Sequence, residues 1–276
     1  MLTFAGPPAA VAWAAQQAVA VAVERIDMRS HAGQHPRLGA VYVVPFVPLG
    51  ETTMDECVEL ARDFGRRIAE QHDLPVYLYA KAATRAERQV LADIRRPQFE
   101  GLAELIDSPA HAPDFGPSRV HPTAGAIVVG ARPFLIAFNI NLETHDLELA
   151  KRIAHRIRER SGGLPRVQAL GLYLEDLGCA QVSMNLLDFT VTPMWLVFET
   201  VRELASAEGI EVRESELIGL CPLPALLEVA DHAGIEPELA DEERVRQAAG
   251  WLKVREFRPT MALELRLAEL AAKGTS

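Results

Sequence analysis

The chain has 276 residues, of which 28 are Lys or Arg and 38 are Asp or Glu, so its formal net charge is -10. This acidic balance argues against a nucleic-acid-binding surface, which is normally basic. Hydrophobic residues make up 49% of the chain, which excludes global disorder, and at about 150 residues per domain the length predicts two domains.

The first half of the chain alternates predicted helices and strands. A proline pair precedes an alanine-rich run over 9–27, which predicts a helix. Thr53 and Glu56 form a capping-box pattern that opens a second, amphipathic helix. β-branched and aromatic runs predict strands at 41–46, 76–79 and 126–129. The segment between the last two strands has no strong periodicity, which is typical of a functional or disordered loop.

The second half predicts strand, helix, strand, strand, helix and strand, in that order. The strands are expected at 134–140, 166–174 and 181–187, followed by two short extended pieces at 210–212 and 216–219. One amphipathic helix is expected from Leu147, with its end at Gly162-Gly163, and a second should begin with Thr192 as its N-cap. The remainder should be mostly helical. This order is that of a split βαβ, ferredoxin-like unit.

The first half fits the same unit if its opening strand is missing. The predicted fold class is therefore α/β (α+β), with two stacked ferredoxin-like split βαβ subdomains. We expect the first subdomain to span residues 1–133 and the second to span residues 134–276.

The cysteines and the apolar stretches indicate the cellular compartment in which the protein is found. Cys57, Cys179 and Cys221 are far apart and odd in number, so they predict neither a disulfide framework nor a metal site. The most apolar stretch, 9–23, is broken by two glutamines and is too short to span a bilayer, which takes about 20 apolar residues. No basic segment precedes it, so a secretory signal is not expected. These features predict a cytoplasmic protein.

A short loop between the first helix and the first strand carries His31, His35 and Arg37. Histidine titrates near pH ~6.5 and can move a proton near neutrality, whereas arginine can grip a carboxylate with two hydrogen bonds. Gly33 and Pro36 disfavour the helix that would align the two imidazoles, so a metal site is not expected. By composition alone, a catalytic loop and a loop with surface histidines are equally good interpretations.

A second loop combines glycines, which let a backbone approach a ligand closely, with hydrogen-bonding side chains. It lacks the Gly-Lys-Ser/Thr of a Walker loop, so it does not predict a nucleotide. An ordinary connecting loop fits its composition at least as well. Its residues are Gly116, Pro117, Ser118, Arg119, Val120, His121, Pro122, Thr123, Ala124 and Gly125.

Polar side chains occur on two predicted strands of the second half. Asn139 and Asn141 end one strand, and Gln181, Ser183 and Asn185 alternate along another. Alternation places the last three on one face of the sheet. Such a face either binds a ligand or faces water, and the second situation is the more common one.

The string His31-x-Gly33-x-His35-Pro36-Arg37-x-Gly39-Ala40, followed by Val44-Pro45-Phe46-Val47-Pro48, resembles the glutamate formiminotransferase family. Each matching string is short, but their order along nearly the whole chain makes the set specific. The other matching strings lie at 55–58, 75–79, 112–117, 130–135, 137–142, 180–186 and 219–223.

The resemblance implies an enzyme that transfers the formimino group from N-formimino-L-glutamate to N5 of tetrahydrofolate, in histidine degradation and one-carbon metabolism. It implies two α/β subdomains with the ligands between them, a homodimer, tetrahydrofolate as co-substrate, and no metal, nucleic acid or membrane partner. The family's catalytic histidine falls on His35, and its folate-binding loop falls on 116–125.

The substrates of such an enzyme carry carboxylates, and we expect arginines to offset this charge on an otherwise acidic protein. The candidates for this role are Arg37 and some of Arg85, Arg88, Arg95, Arg96 and Arg119. The residues expected to bind the substrate are His31, Arg37, Asn139, Asn141 and Asn185.

Family members usually begin with a further segment that carries a Val-Pro-Asn-Phe-Ser-Glu-Gly signature and the opening strand. We expect the first subdomain to lack that strand here. Tyr42 stands where the family commonly has Asp, and Lys81 where it has Glu. Two alternatives therefore stay open: a folate-dependent formyl-group transferase or 5-formyltetrahydrofolate-handling enzyme, and a shortened, non-catalytic homologue that binds folate or a partner.

Overall fold

The computed structural model describes residues 2–31 and 37–274, so His35 lies outside the described residues. The internal contacts of the chain divide it into two compact units, 2–133 and the part that begins at Phe134.

The first unit contains four helices and three strands among its described residues. The helices are α1 (Pro8–Arg25), α2 (Met54–His72), α3 (Leu91–Ile94) and α4 (Gln98–Leu105). The strands are β1 (Val43–Phe46), β2 (Val76–Ala80) and β3 (Ile127–Ala131).

Helix α2 begins as its sequence predicts. The Thr53 hydroxyl accepts a hydrogen bond from the Glu56 amide at 3.2 Å, and the Glu56 carboxylate accepts one from the Thr53 amide at 2.7 Å. These two bonds confirm the capping box, which satisfies amides that a helix start leaves without partners. The same helix buries Phe64 and Ile68 in the core beneath the sheet.

The three strands form a parallel sheet in the order β1-β3-β2. A parallel sheet is normally covered on both faces. Here α1 and α2 contribute to the core on one face, while Tyr77 and Tyr79 pack with Leu102 and Ile106 on the other. Residues 80–125, which show no strong periodicity, therefore include two short helices, of which α4 helps to build the second face. Helices of four and eight residues are shorter than the windows in which helical periodicity is visible, so no sequence pattern predicts these two.

The second unit has the order strand, helix, strand, strand, helix, strand, as predicted. These elements are β4 (Ile136–Leu142), α5 (Leu147–Ile157), β5 (Val167–Leu174), β6 (Cys179–Leu186), α6 (Met194–Ser206) and β7 (Val212–Ile218). The antiparallel sheet has the order β5-β6-β4-β7, and α7 (Leu223–His232), α8 (Asp241–Trp251) and α9 (Leu263–Gly274) follow it. The mixed α/β class with two split βαβ units is confirmed.

Two local predictions in this unit were wrong. The two extended pieces expected at 210–212 and 216–219 form one strand, β7, because pairing with β4, with one shift of register after Asn141, carries the backbone through the polar residues between them. Thr192 does not cap α6 with its side chain. Its hydroxyl donates instead to the carbonyl oxygen of Pro165 at 2.5 Å, and the N-cap position belongs to Pro193.

In each sheet one strand lies between the two strands of the βαβ unit, β3 in the first and β6 in the second, and its direction relative to its neighbours differs between the two sheets. In the first unit, β3 is parallel to both neighbours, whereas in the second unit β6 is antiparallel to both. The connections explain the difference. The four residues 175–178 between β5 and β6 allow only a hairpin, whereas the long connection from β2 to β3 returns the chain to the end at which β2 began.

Within the described ranges, no helix combines the length and the apolar character that crossing a bilayer requires. The three cysteines are buried free thiols. Burial raises the pKa of each of them above its ordinary value, which keeps them protonated and unreactive at neutral pH.

Candidate functional site

The loop that carries His31 and Arg37 is hydrogen-bonded on both sides of the segment 32–36 to residues 123–124, in the second half of the glycine-containing loop 116–125. Before the segment 32–36, the Met28 amide donates to the carbonyl oxygen of Thr123 at 2.8 Å. After it, the Ala40 amide donates to the carbonyl oxygen of Ala124 at 2.9 Å. Two loops that are about 85 residues apart in sequence are therefore neighbours in the first unit, as expected of segments that form one site on a rigid scaffold.

Arg37 connects this loop to a third segment, 95–100. Its Nε donates to the carbonyl oxygen of His31 at 2.7 Å, which ties the two ends of the segment 32–36 together. Its two terminal nitrogens donate to Glu100 Oε1 at 2.7 Å and to Oε2 at 3.1 Å. The hydrogen bond from Arg37 lowers the pKa of Glu100, so this carboxylate is ionised at neutral pH. The Phe99 amide adds a hydrogen bond to the carbonyl oxygen of Arg37 at 2.8 Å.

The second half of the glycine-containing loop forms a tight turn where the three segments meet. His121 and Gly125 exchange two backbone hydrogen bonds of 3.1 and 3.0 Å, and His121 Nδ1 accepts from the Ala124 amide at 3.0 Å. Gly125 has a φ of +73°, and a Cβ atom there would lie 2.9 Å from Gly39 Cα and 3.0 Å from the Phe99 ring. Only glycine allows this turn to approach both neighbours so closely.

The first half of the same loop lies beside the C-terminal end of α2. Ser118 and Arg119 are exposed, and Arg119 forms an ion pair with Asp73 just after α2. Gly116 and Pro117 line a surface groove of about 360 Å³ together with residues of α2. His72 ends this helix, and its pKa is lowered by burial and, secondarily, by the nearby His121, so its imidazole is neutral at pH 7.

Replacing Gly116 with Ala should destabilise the first unit by about 3 kcal/mol. The φ of +84° is strained for any residue with a Cβ, and that Cβ would overlap the carbonyl oxygen of Leu74. Gly162→Ala is a matched control, because Gly162 has the same φ of +84° but open space around its Cβ position, so it should lose only about 1 kcal/mol. Urea denaturation of both variants would measure the difference, and equal losses would contradict the expected overlap.

A buried ion pair supports the chain that leads into Gly116. Arg88 donates from Nη1 to Asp114 Oδ2 at 2.6 Å, and the two side chains are 4% and 6% exposed. The same carboxylate accepts from the Leu78 amide at 2.8 Å and from the Thr84 hydroxyl. Asp114 thus joins β2 to the start of the loop. This role of Asp114 is not predictable from the sequence, because no local pattern marks the partner of a buried aspartate.

In the second unit, the asparagines belong to a polar network on one face of the sheet. Gln181 Nε2 donates to Asn141 Oδ1 at 2.7 Å, and Asn141 Nδ2 donates to Glu214 Oε1 at 3.0 Å. Asn139 accepts from the Met184 amide at 3.3 Å. Asn185 lies on the same face, since it pairs with Ala137 two residues before Asn139.

Two glutamates and an arginine of this network were missed from the sequence. Glu216 accepts from Gln181 at 3.2 Å and forms a 2.9 Å ion pair with Arg255, which also reaches Glu214 at 3.5 Å. The alternation of Glu214 and Glu216 along a strand could have identified them. That signal was lost when β7 was read as two separate pieces.

The structure thus brings His31, Arg37 and the turn 121–125 together. Ser118 and Arg119 are exposed, and Arg119 is paired with Asp73. Asn139, Asn141 and Asn185 share a face in the other unit. No group of three or more metal-ligating side chains is present within residues 2–31 and 37–274.

Comparisons with known proteins agree over both units. Residues 1–132 match the model of the formiminotransferase domain, N-terminal subdomain, and residues 137–262 match that of the formiminotransferase domain. The chain is 44% identical over 232 residues to the glutamate formimidoyltransferase of Streptococcus pyogenes serotype M1, which covers 84% of this chain and 78% of that protein.

Two further relatives extend this comparison. The glutamate formimidoyltransferase of Thermoplasma acidophilum is 46% identical over 234 residues, covering 84% of this chain and 77% of that protein. The formimidoyltransferase-cyclodeaminase of Rattus norvegicus is 47% identical over 233 residues, which are 83% of this chain but only 43% of the rat protein.

Proposed function

This chain belongs to the formiminotransferase family, and from that membership we propose that it is a glutamate formimidoyltransferase. It transfers the formimino group of N-formimino-L-glutamate to N5 of tetrahydrofolate, a step of histidine degradation and one-carbon metabolism. Tetrahydrofolate is the co-substrate. The comparisons do not favour the alternatives of a formyl-group transferase or a non-catalytic homologue.

The observation that best supports this activity is the meeting of three segments in the first unit. The backbone on both sides of the segment that contains His35 is hydrogen-bonded to Thr123 and Ala124 of the proposed folate-binding loop 116–125. Proton transfer at the folate amine requires an acid–base group close to the folate-binding loop, and in the sequence His35 lies between these two hydrogen-bonded positions.

The proposed chemistry needs one group that both accepts and donates a proton. The lone pair of N5 attacks the amidine carbon, and the N5–C bond forms in a tetrahedral intermediate. His35 takes the proton that N5 loses and gives it to the glutamate nitrogen as the C–N bond to glutamate breaks. The products are 5-formiminotetrahydrofolate and L-glutamate. Binding the two substrates with N5 close to the amidine carbon supplies much of the remaining rate enhancement.

Arg37 and His31 are proposed to bind the substrate beside His35. A guanidinium has five N–H groups, and three of those of Arg37 donate to His31 and Glu100. Within the described residues, the other two have no protein acceptor and could bind a substrate carboxylate. Asn139, Asn141 and Asn185 are proposed to act in substrate binding on the polar face of the second unit. Asn139 and Asn185 would bind through their own amide groups, whereas Asn141 is fully buried and would act through the network of carboxylates and amides that it joins.

Several finer features belong to the same proposal. The two subdomains are residues 1–133 and 134–276, and the protein acts in the cytoplasm as a homodimer, without a metal, nucleic acid or membrane partner. Light scattering on the purified full chain would measure the oligomeric state. A monomeric mass at micromolar concentration would contradict the dimer.

The experiment that tests the activity is turnover by the full chain of N-formimino-L-glutamate with tetrahydrofolate. We expect L-glutamate and 5-formiminotetrahydrofolate to appear in equal amounts, as measured by mass spectrometry. N-formyl-L-glutamate is the matched alternative donor. Turnover with the formyl donor alone would favour a formyltransferase, and tetrahydrofolate binding without turnover of either donor would favour a non-catalytic homologue.

A further inference from the structure

The candidate arginines of the first unit differ in what their guanidinium groups contact. Most of them are already engaged by protein oxygen atoms. The contacts are Arg37 with Glu100, Arg88 with Asp114, Arg96 with Asp93, Arg119 with Asp73, and Arg85 with the carbonyl oxygen of Pro109.

Arg95 is different. It directly follows α3, and its guanidinium carbon lies 5.0 Å from the centre of the Tyr42 ring. Its Nε is buried, and within residues 2–31 and 37–274 it has no hydrogen-bond partner and its guanidinium has no carboxylate paired with it. Burial lowers the pKa of Arg95, although a guanidinium stays protonated in proteins. The site therefore holds a half-buried positive charge without a counter-charge in the described part of the chain, an arrangement that favours an anion.

Tyr42 provides a second group without a partner. Its hydroxyl oxygen is buried and makes no hydrogen bond within the described part of the chain. Buried polar groups are nearly always paired in native structures, and an unpaired one is costly. A ligand that accepts hydrogen bonds from both Arg95 and Tyr42 would remove both deficits at once.

The backbone places this pair at the candidate site. Arg95 begins the segment 95–100, in which Phe99 and Glu100 are hydrogen-bonded to Arg37. Tyr42 follows Ala40, whose amide is bonded to Ala124. Both side chains thus belong to the three segments that meet beside the proposed folate loop.

We propose that Arg95 binds a carboxylate group of a substrate, with the Tyr42 hydroxyl as a further donor. This inference rests on the proposed function for the identity of the carboxylate, which belongs either to the glutamate portion of N-formimino-L-glutamate or to the glutamyl tail of tetrahydrofolate. The planar guanidinium suits the two oxygens of a carboxylate, to which it can donate two parallel hydrogen bonds.

Equilibrium binding to the full chain tests the proposal without requiring turnover. The probes are L-glutamate, tetrahydrofolate, and tetrahydropteroate, which lacks the glutamyl tail. Arg95→Met should weaken the binding of the probe that carries the recognised carboxylate by about 30-fold, since a hydrogen-bonded charge pair is lost. Weaker L-glutamate binding identifies the formimino donor as the source of the carboxylate. Loss of the preference for tetrahydrofolate over tetrahydropteroate identifies the tail.

Three further variants separate binding from folding. Arg67→Met is the matched control, because Arg67 is an exposed arginine paired with Asp63 on α2, and it should bind every probe normally. Arg95→Lys keeps the charge and should recover part of the affinity, and Tyr42→Phe should weaken the same probe by a few-fold. A thermal melt of each variant checks the fold.

The proposal is overturned if folded Arg95→Met binds all three probes like the unsubstituted chain, or if the unsubstituted chain binds none of them. If the unsubstituted chain transfers no formimino group but Arg95→Met weakens the binding of a probe, the carboxylate site is supported and the proposed activity is wrong. Should turnover occur and the affinities stay unchanged, only the role of Arg95 fails.

Discussion

The His35→Ala variant should lose formimino transfer almost completely, with kcat lower by about 10²–10⁴-fold, the usual contribution of a general acid–base group. The reason is that no other group is proposed to carry the proton from N5 of tetrahydrofolate to the departing glutamate nitrogen. Initial-rate kinetics with both substrates would measure kcat and each KM separately.

Tetrahydrofolate should still bind the His35→Ala variant within about twofold of the original affinity, because acid–base catalysis acts on the barrier and not on ground-state binding. His155→Ala is the matched control, since His155 is an exposed histidine on α5, and it should turn over normally. If His35→Ala folds but no longer binds tetrahydrofolate, the residue holds the co-substrate and the assignment of proton transfer is wrong.

The Asp114→Ala variant should lose about 3–5 kcal/mol of stability, the usual cost of removing one partner from a buried ion pair. Arg88 would remain 4% exposed with its charge unpaired, and the Leu78 amide and the Thr84 hydroxyl would lose their acceptor. The free energy of unfolding, measured by urea denaturation, reports this loss.

Asp63→Ala is the control for that experiment, because Asp63 is 45% exposed and pairs with Arg67 on the surface of α2. An exposed pair contributes about 0–1 kcal/mol, so this variant should unfold close to the original midpoint. If both variants lost similar amounts of stability, the burial of the Arg88–Asp114 pair would not explain the contribution of Asp114. A folded but weakened Asp114→Ala should also bind tetrahydrofolate less well, since the aspartate directs the chain into Gly116.

The elements that the sequence predicted well are those with strong local signals. The capping box at Thr53 depends on residues three positions apart, and the amphipathic stripe of α5 repeats within eleven residues. The hairpin between β5 and β6 follows from a short turn between two apolar runs. In each case the residues that determine the element are close together in the chain, so their pattern is visible without the fold.

The candidate site was only partly visible for the opposite reason. Arg37 could be singled out as a guanidinium in a loop, but its partner Glu100 is 63 residues away and carries no pattern that marks it. Arg88 and Asp114 form their pair across 26 residues. The same is true of Tyr42 and Arg95, whose contact depends on a short helix that the sequence analysis missed.

The sequence by itself determined the family and the order of strands and helices in the second unit, and it is the source of the residues proposed for the chemistry. These follow from local periodicity and from ordered motifs. Only the tertiary structure decided that β3 runs parallel to its neighbours, that three distant loops meet around Gly125, and which arginine lacks a counter-charge. Those features depend on which segments lie side by side, and that is a property of packing between residues far apart in the chain.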